Sequence, residues 1–423
     1  MNDERQAAST SVGSIENRPK YVVGMDAHSR KLAISVWEWS DPWNPTKHVE
    51  IRCFDIDAMV KTYERHVPLE SLTLIEASNN STHLKEMLIE AGYRAEVVPS
   101  DAISGREKKR KVCDIQDARS LADAYMKGDI KEFVWTPNDE CSEYRDIVFA
   151  YRDAEREFVR ASNKIWAICN RKGYKIEIAA GKTSVKTIRE TIKSMNITGI
   201  IAKRLEMLVE EYELNVKRRN ELEVIMAEFV FGNDAMLALM QLPGVFYKTA
   251  FVTVAAVGDV HRFSKASKLA AYGGYAPSLN TSGEEEQRAA RKGGTGKPLD
   301  NDGRRDLKYF YSEAGETVLN TCAETPLGKW GWHLYNRGKA KHEAACAVAR
   351  KLLTYAYHIL RGDPTPNREA EKFYRRKLIR FCGTLGKERV KELGYKKYDD
   401  FAEVHVQRIY AGLPPTDSAK AWK

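Results

Sequence analysis

The chain has 423 residues, of which 43% are hydrophobic and 30% charged, with a formal net charge of +9 at pH 7. That length suffices for two or three domains with real cores, and the excess of Lys and Arg, spread along the whole chain, favours a polyanionic partner. No apolar run reaches membrane-spanning length, and the polar residues 1–20 carry no secretory core and are expected to be a disordered tail. The seven cysteines are scattered, odd in number and without a CxxC pair, so neither a disulfide framework nor a zinc site is indicated, and the reducing cytoplasm is expected.

Tyr21 to Trp37 reads as a β-hairpin. Val22, Val23 and Met25 lead to Asp26, His28 to Lys31 form a polar turn, and Leu32, Ile34 and Val36 alternate on the second strand. A third strand is expected over His48–Ile56, a helix over Ala58–His66, a strand over Leu72–Ile75 ending at Glu76, and a helix over Ser81–Ala91 stopped by Gly92. A short strand, Ala95–Val98, precedes a basic loop holding Lys108, Lys109, Arg110 and Lys111, and a helix follows from Asp114 to Met126. Three strands, then alternating helices and strands, match a ribonuclease H-like α/β fold with an antiparallel meander at one side.

In such a fold Asp26 and Glu76 are neighbours, and Asp114 and Asp117 share one helix face. Four converging carboxylates repel one another unless a cation lies between them. Hard oxygen ligands suit Mg²⁺, and two such ions can clamp the attacking and leaving oxygens of a phosphodiester. Taken alone, Asp114 and Asp117 also fit a solvated first helical turn favoured by the helix dipole.

From Glu143 onward the pattern becomes helical. Tyr144, Val148, Tyr151, Phe158 and Ile165 recur at spacings of three, four or seven, as do Leu205, Leu208, Tyr212, Leu222, Met226 and Phe229, with Asn215 and Arg219 in the seam. Two antiparallel helices of this kind make either a dimerisation arm or a hairpin packed within one protomer. Leu242 to Ala250 resembles the hairpin of a helix-hairpin-helix element, with Lys248 beside it and Phe246 in place of the usual second glycine. It serves either to grip a phosphate or as a structural turn. Ser282 sits in a Gly-rich polar loop, where chemistry alone suggests a turn residue. Arg288, Arg291, Lys292, Arg304 and Arg305 follow it, suited to a phosphate-rich substrate or simply solvated. The remainder is helical, with a basic, aromatic tail after Gly362.

These stretches resemble the DEDD transposases of the IS-one-ten insertion-sequence family, which includes related DNA invertases. The resemblance rests on GMDAHSRKLAISV, LIEAS and KVCDIQDARSLA in the first half. In the second half it rests on LPGVFYKTA, the run from Val257 to Gly283, and RGKAKHEAACAVARKLL. It implies a RuvC-like domain over residues 21–138, a coiled-coil arm over 139–235, a mostly helical transposase domain over 236–362 and a basic extension over 363–423. It implies that Asp26, Glu76, Asp114 and Asp117 bind Mg²⁺, with Mn²⁺ as a substitute, and that Ser282 attacks DNA to form a phosphoserine link. It also implies a dimer or tetramer with a composite site, donor and target DNA, and a structured guide RNA (a bridge RNA) in a bacterial or archaeal cytoplasm, at the nucleoid. Two other readings stand beside it: a Holliday-junction-type nuclease using metal-activated water, and a non-catalytic RNA-binding scaffold.

Overall fold

The computed structural model describes residues 18–100, 114–176, 183–276, 303–363 and 368–410. The chain is mixed α/β and divides into two compact units, Met1–Asn138 and Asp139–Lys423. No helix among the described residues is long and apolar enough to cross a membrane.

The first unit is built on a five-stranded sheet of order β3-β2-β1-β4-β5. Its strands are β1 (Tyr21–Ala27), β2 (Lys31–Glu38), β3 (Thr46–Asp55), β4 (Ser71–Glu76) and β5 (Arg94–Val98). β1, β2 and β3 form an antiparallel meander, while β4 pairs parallel to β1 and β5 parallel to β4. Because β1 is covered on both faces, it reads as an almost continuous apolar run rather than an alternating one. Val23 and Met25 pack with Met59, Tyr63, Leu84 and Leu88 of the helices α1 (Met59–His66) and α2 (Ser81–Glu90). Val22 joins Leu72, Leu74, Leu121 and Ala122 on the other face, under α3 (Asp114–Met126).

In the second unit α4 (Asp139–Arg171) and α6 (Gly199–Phe231) lie antiparallel: Tyr144 meets Phe229, Tyr151 meets Glu223, and Phe158 meets Tyr212. The expected seam residues are therefore filled within one chain. Leu205, Leu208, Tyr212 and Met226 are buried, and Leu222 and Phe229 pack at the edge of the core. The interruption between these helices contains a further helix, α5 (Val185–Ser194), whose N-terminus is capped by the Ser184 hydroxyl accepting from the Thr187 amide. The main core is shared by α7 (Asp234–Leu239), α8 (Tyr247–Val257), α9 (Ala266–Tyr272), α10 (Arg305–Thr321), α11 (Pro326–Asn336) and α12 (Lys341–Leu360).

The described helices after Gly362 are part of this same core. Tyr374, Leu378 and Phe381 of α13 (Glu371–Leu385) are fully buried, as are Phe401 and Ala402 of α15 (Tyr398–Tyr410), with α14 (Lys387–Glu392) between them. Lys377 reaches inward to donate to the carbonyls of Met240 and Leu242, at 3.0 and 2.6 Å, and pairs with Glu369 at 3.1 Å. A buried ammonium is tolerated here because its hydrogen bonds go to backbone carbonyls and its charge is met by a carboxylate.

Candidate functional site

Asp26 is the sixth residue of β1 and Glu76 the last of β4. The parallel register Met25↔Ile75 carries both to the same end of the sheet. Gly24 and Asp26 share a strand face by the two-residue period, and that face meets α3. Gly24 is what lets α3 come so close: a Cβ there would stand 1.8 Å from the Ala118 carbonyl oxygen and 3.0 Å from the Ala122 nitrogen. The approach lays the first turn of α3, with Asp114 and Asp117, over the end of β1. Arg119 of α3, bonded through both arms of its fork to Glu50 of β3, holds the helix across the meander.

Asp26 is only 7% exposed, and its Oδ2 is buried without a hydrogen-bond partner. His28 Nε2 lies 3.4 Å from that oxygen and 3.5 Å from Asp114 Oδ1, too long to satisfy either fully. Ligand atoms of Asp26, His28 and Asp114 all fall within 4.8 Å of one another. Burial pushes the Asp26 carboxyl above its usual range. His28 opposes the rise, and Asp117 and Asp114 add to it. Glu76 is raised by burial and then by Asp26 and Asp117, and Asp117 by burial and then by Asp114. The four acids thus share one field of mutual repulsion. An orphaned buried carboxylate oxygen among further carboxylates is a donor set that fits a hard divalent cation.

His28 is the site residue that sequence reasoning passed over. Its signal is its place two residues beyond Asp26, on the same side of the hairpin. The Asn80 side chain, just before α2, donates to the His28 carbonyl at 3.1 Å and ties the turn to the site.

The other expected contacts fare differently. Lys248 is paired internally: its Nζ lies 3.0 Å from Glu223 Oε1 and 3.0 Å from the Tyr151 hydroxyl, linking α8 to α6 and α4. Its side chain is 31% exposed, so the expected phosphate contact would have to be made alongside this ion pair. The Leu242–Phe246 turn has a packing role. Gly244 has φ +75°, and a Cβ there would sit 2.4 Å from the Ala314 carbonyl oxygen, so the turn is pressed onto α10. Arg304 is likewise committed, forked onto Asp306 at 2.9 to 3.0 Å, whereas Arg305 is exposed with no ion-pair partner among the described residues.

Ser282, Lys108, Lys109, Arg110, Lys111, Arg288, Arg291 and Lys292 lie outside the described residues. The chain on either side of Ser282 is described, and its two ends meet. A Cβ on Gly303 would stand 2.1 Å from the Gly274 Cα, and the Arg304 amide donates to the Tyr272 carbonyl at 2.7 Å. Gly274 and Gly303 therefore lie side by side, next to the buried Tyr275, whose hydroxyl donates to the Lys308 carbonyl.

No curated protein matches the chain. Residues 236–297, which run from α7 through α9 and include Ser282, match the model of the transposase IS116/IS110/IS902 family, and that similarity supports a transposase role in processing DNA.

Proposed function

We propose that the chain is an insertion-sequence transposase or site-specific recombinase that cuts and rejoins DNA. In this reading its first unit is a RuvC-like domain and Ser282 is its nucleophile. The observation that carries the reading is the meeting of Asp26, His28 and Asp114 within 4.8 Å around an unpartnered carboxylate oxygen, in a chain whose residues 236–297 match a transposase family.

The four acids would hold Mg²⁺, which when bound neutralises charge developing on a phosphodiester and lowers the proton affinity of an attacking oxygen. Asp26, the most buried acid, fixes the site's depth. Asp114 and Asp117 present their carboxylates from a helix that Gly24 and Arg119 hold in place. His28, with its side chain 61% exposed, stands at the mouth of the site next to Asp26 and Asp114. The Ser282 oxygen attacks phosphorus, the bond to the departing deoxyribose oxygen breaks, and the serine proton leaves to solvent or base. The energy of the broken ester is kept in the phosphoserine ester, so resealing needs no nucleotide cofactor. Sequence choice is assigned to a guide RNA that pairs with DNA, in keeping with the division of labour in RNA-guided enzymes.

Asp117→Asn tests the metal-dependent step. DNA binding should stay within about twofold of wild type while Mg²⁺-dependent cleavage falls by about a thousandfold or more. Cleavage that survives the substitution would remove Asp117 from the site, and binding that collapses with it would make the α3 turn structural.

A further inference from the structure

We propose that the outer face of α13, continued by Phe246, is a binding strip for single-stranded nucleic acid. Lys372, Arg376 and Arg380 hold the phosphate backbone, and Phe373 stacks an unpaired base. The inference deepens the reading of this chain as a nucleic-acid enzyme and rests on it only for the class of ligand.

Between positions 372 and 380, α13 carries five basic residues, and the structure sorts them. Arg375 is paired with Asp399 and Glu403 of α15, and Lys377 is buried on Glu369 and the backbone carbonyls. Lys372, Arg376 and Arg380 are exposed and have no carboxylate partner among the described residues. They follow one another at four-residue steps. At about 100° per residue these three and Phe373 fall within roughly 100° of arc, along about 12 Å of helix.

An ordinary solvated helix face alternates acids and bases at this spacing, and like charges four apart destabilise the helix. Here the positions four before and four after Arg376 are both cations. A polyanion laid along the face relieves that repulsion and takes up three charges already aligned.

Phe373 sits among these cations and is 41% exposed, with Lys372 Nζ 5.1 Å and Arg376 Cζ 5.9 Å from its ring centroid. An exposed ring flanked by cations is a stacking platform for a base that is not already stacked in a duplex. Arg380 Cζ lies 5.4 Å from the Phe246 ring, so the strip runs from the extension onto the turn that opens α8. The bulky side chain at position 246, where a helix-hairpin-helix turn would carry glycine, thereby gains a use: it seats the last cation of the strip.

The test uses the full-length protein and three probes of equal length: single-stranded DNA, single-stranded RNA and duplex DNA. Phe373→Ala should weaken binding of a single strand by about tenfold and of the duplex by less than about twofold, and Phe373→Tyr should restore it. The pair Arg376→Ala and Arg380→Ala should lower the slope of log affinity against log salt by about 1.4 for a single strand. Oligonucleotides bearing 5-iodouracil should cross-link to the peptide that contains Phe373, and the strand with the larger loss identifies the ligand. A Phe373→Ala protein that melts as wild type does, binds single strands equally well and shows no cross-link there overturns the proposal. An equal loss on duplex also overturns it, since charge alone would then explain the contact. Cleavage is scored separately, so a wild type that cuts DNA with unaltered strip binding in the variants sinks this inference and leaves the cleavage reading standing.

Discussion

Gly24→Ala should lower the melting temperature of the first unit by at least about 10 °C and abolish DNA cleavage. One methyl group is the whole change, yet the atoms it meets are backbone: the Ala118 carbonyl oxygen at 1.8 Å and its carbon at 2.8 Å. A flexible side chain could swing aside, but a helix backbone must move as a body. Moving α3 uncovers Val22, Ala33 and Ala118 and lifts Asp114 and Asp117 away from Asp26. Overpacking against an immovable neighbour costs about 3 kcal/mol or more. Gly383→Ala is the matched control, because a Cβ there meets nothing within 4 Å and alanine favours the α13 helix. Differential scanning calorimetry of both variants decides the point. A Gly24→Ala protein that melts with the wild type would mean that α3 does not rest on β1 as described.

Asp26→Asn should act in opposite directions on stability and on activity. The folded carboxyl is raised from its ordinary 3.8 by burial, and further by Asp117 and Asp114. Below that ordinary value it is protonated whether the chain is folded or not, and burying it then costs no charge. As pH rises through the raised folded value, the folded state must either hold the proton or accept a buried, repelled charge. Stability falls over that window by an amount the unfolded chain does not lose. In chelator at neutral pH, the neutral Asn should therefore melt about 3–6 °C higher than wild type. With Mg²⁺ at 100 times its dissociation constant the order should reverse, because the wild type gains about 2.7 kcal/mol that the variant cannot. Cleavage by the variant should fall by about a thousandfold or more. Melting curves with and without Mg²⁺ across pH check the first two points. An identical Mg²⁺ response in both proteins would remove Asp26 from any cation site.

The first unit was legible from sequence because its signals are local. Val22 to Met25 is too short and too apolar for anything but a buried strand, Gly92 stops α2, and Asp26 and Glu76 end neighbouring strands. His28 lay in plain view but looked like a turn residue, since its meaning depends on Asp114 arriving from far along the chain. The ion pair of Lys248 was hidden for the same reason: its partner Glu223 lies 25 residues earlier, on a helix whose facing direction the sequence does not reveal. α5 was hidden because no more than Val185, Ile188 and Ile192 mark its apolar side. The tail's union with the core was equally invisible, since Lys377 looks like one more surface cation until the carbonyls of Met240 and Leu242 are placed beside it.

Covalent capture of the reaction intermediate tests the central claim most directly. The full chain is incubated with Mg²⁺ and DNA carrying the element's ends, together with any RNA transcribed from them, and stopped under denaturing conditions. Digestion and mass spectrometry then locate any nucleotide left on the protein. The expected product is a phosphodiester on Ser282, lost in Ser282→Ala and not formed by Asp26→Asn. Cut DNA with no protein adduct, still produced by Ser282→Ala, would contradict it and establish a nuclease that uses water instead.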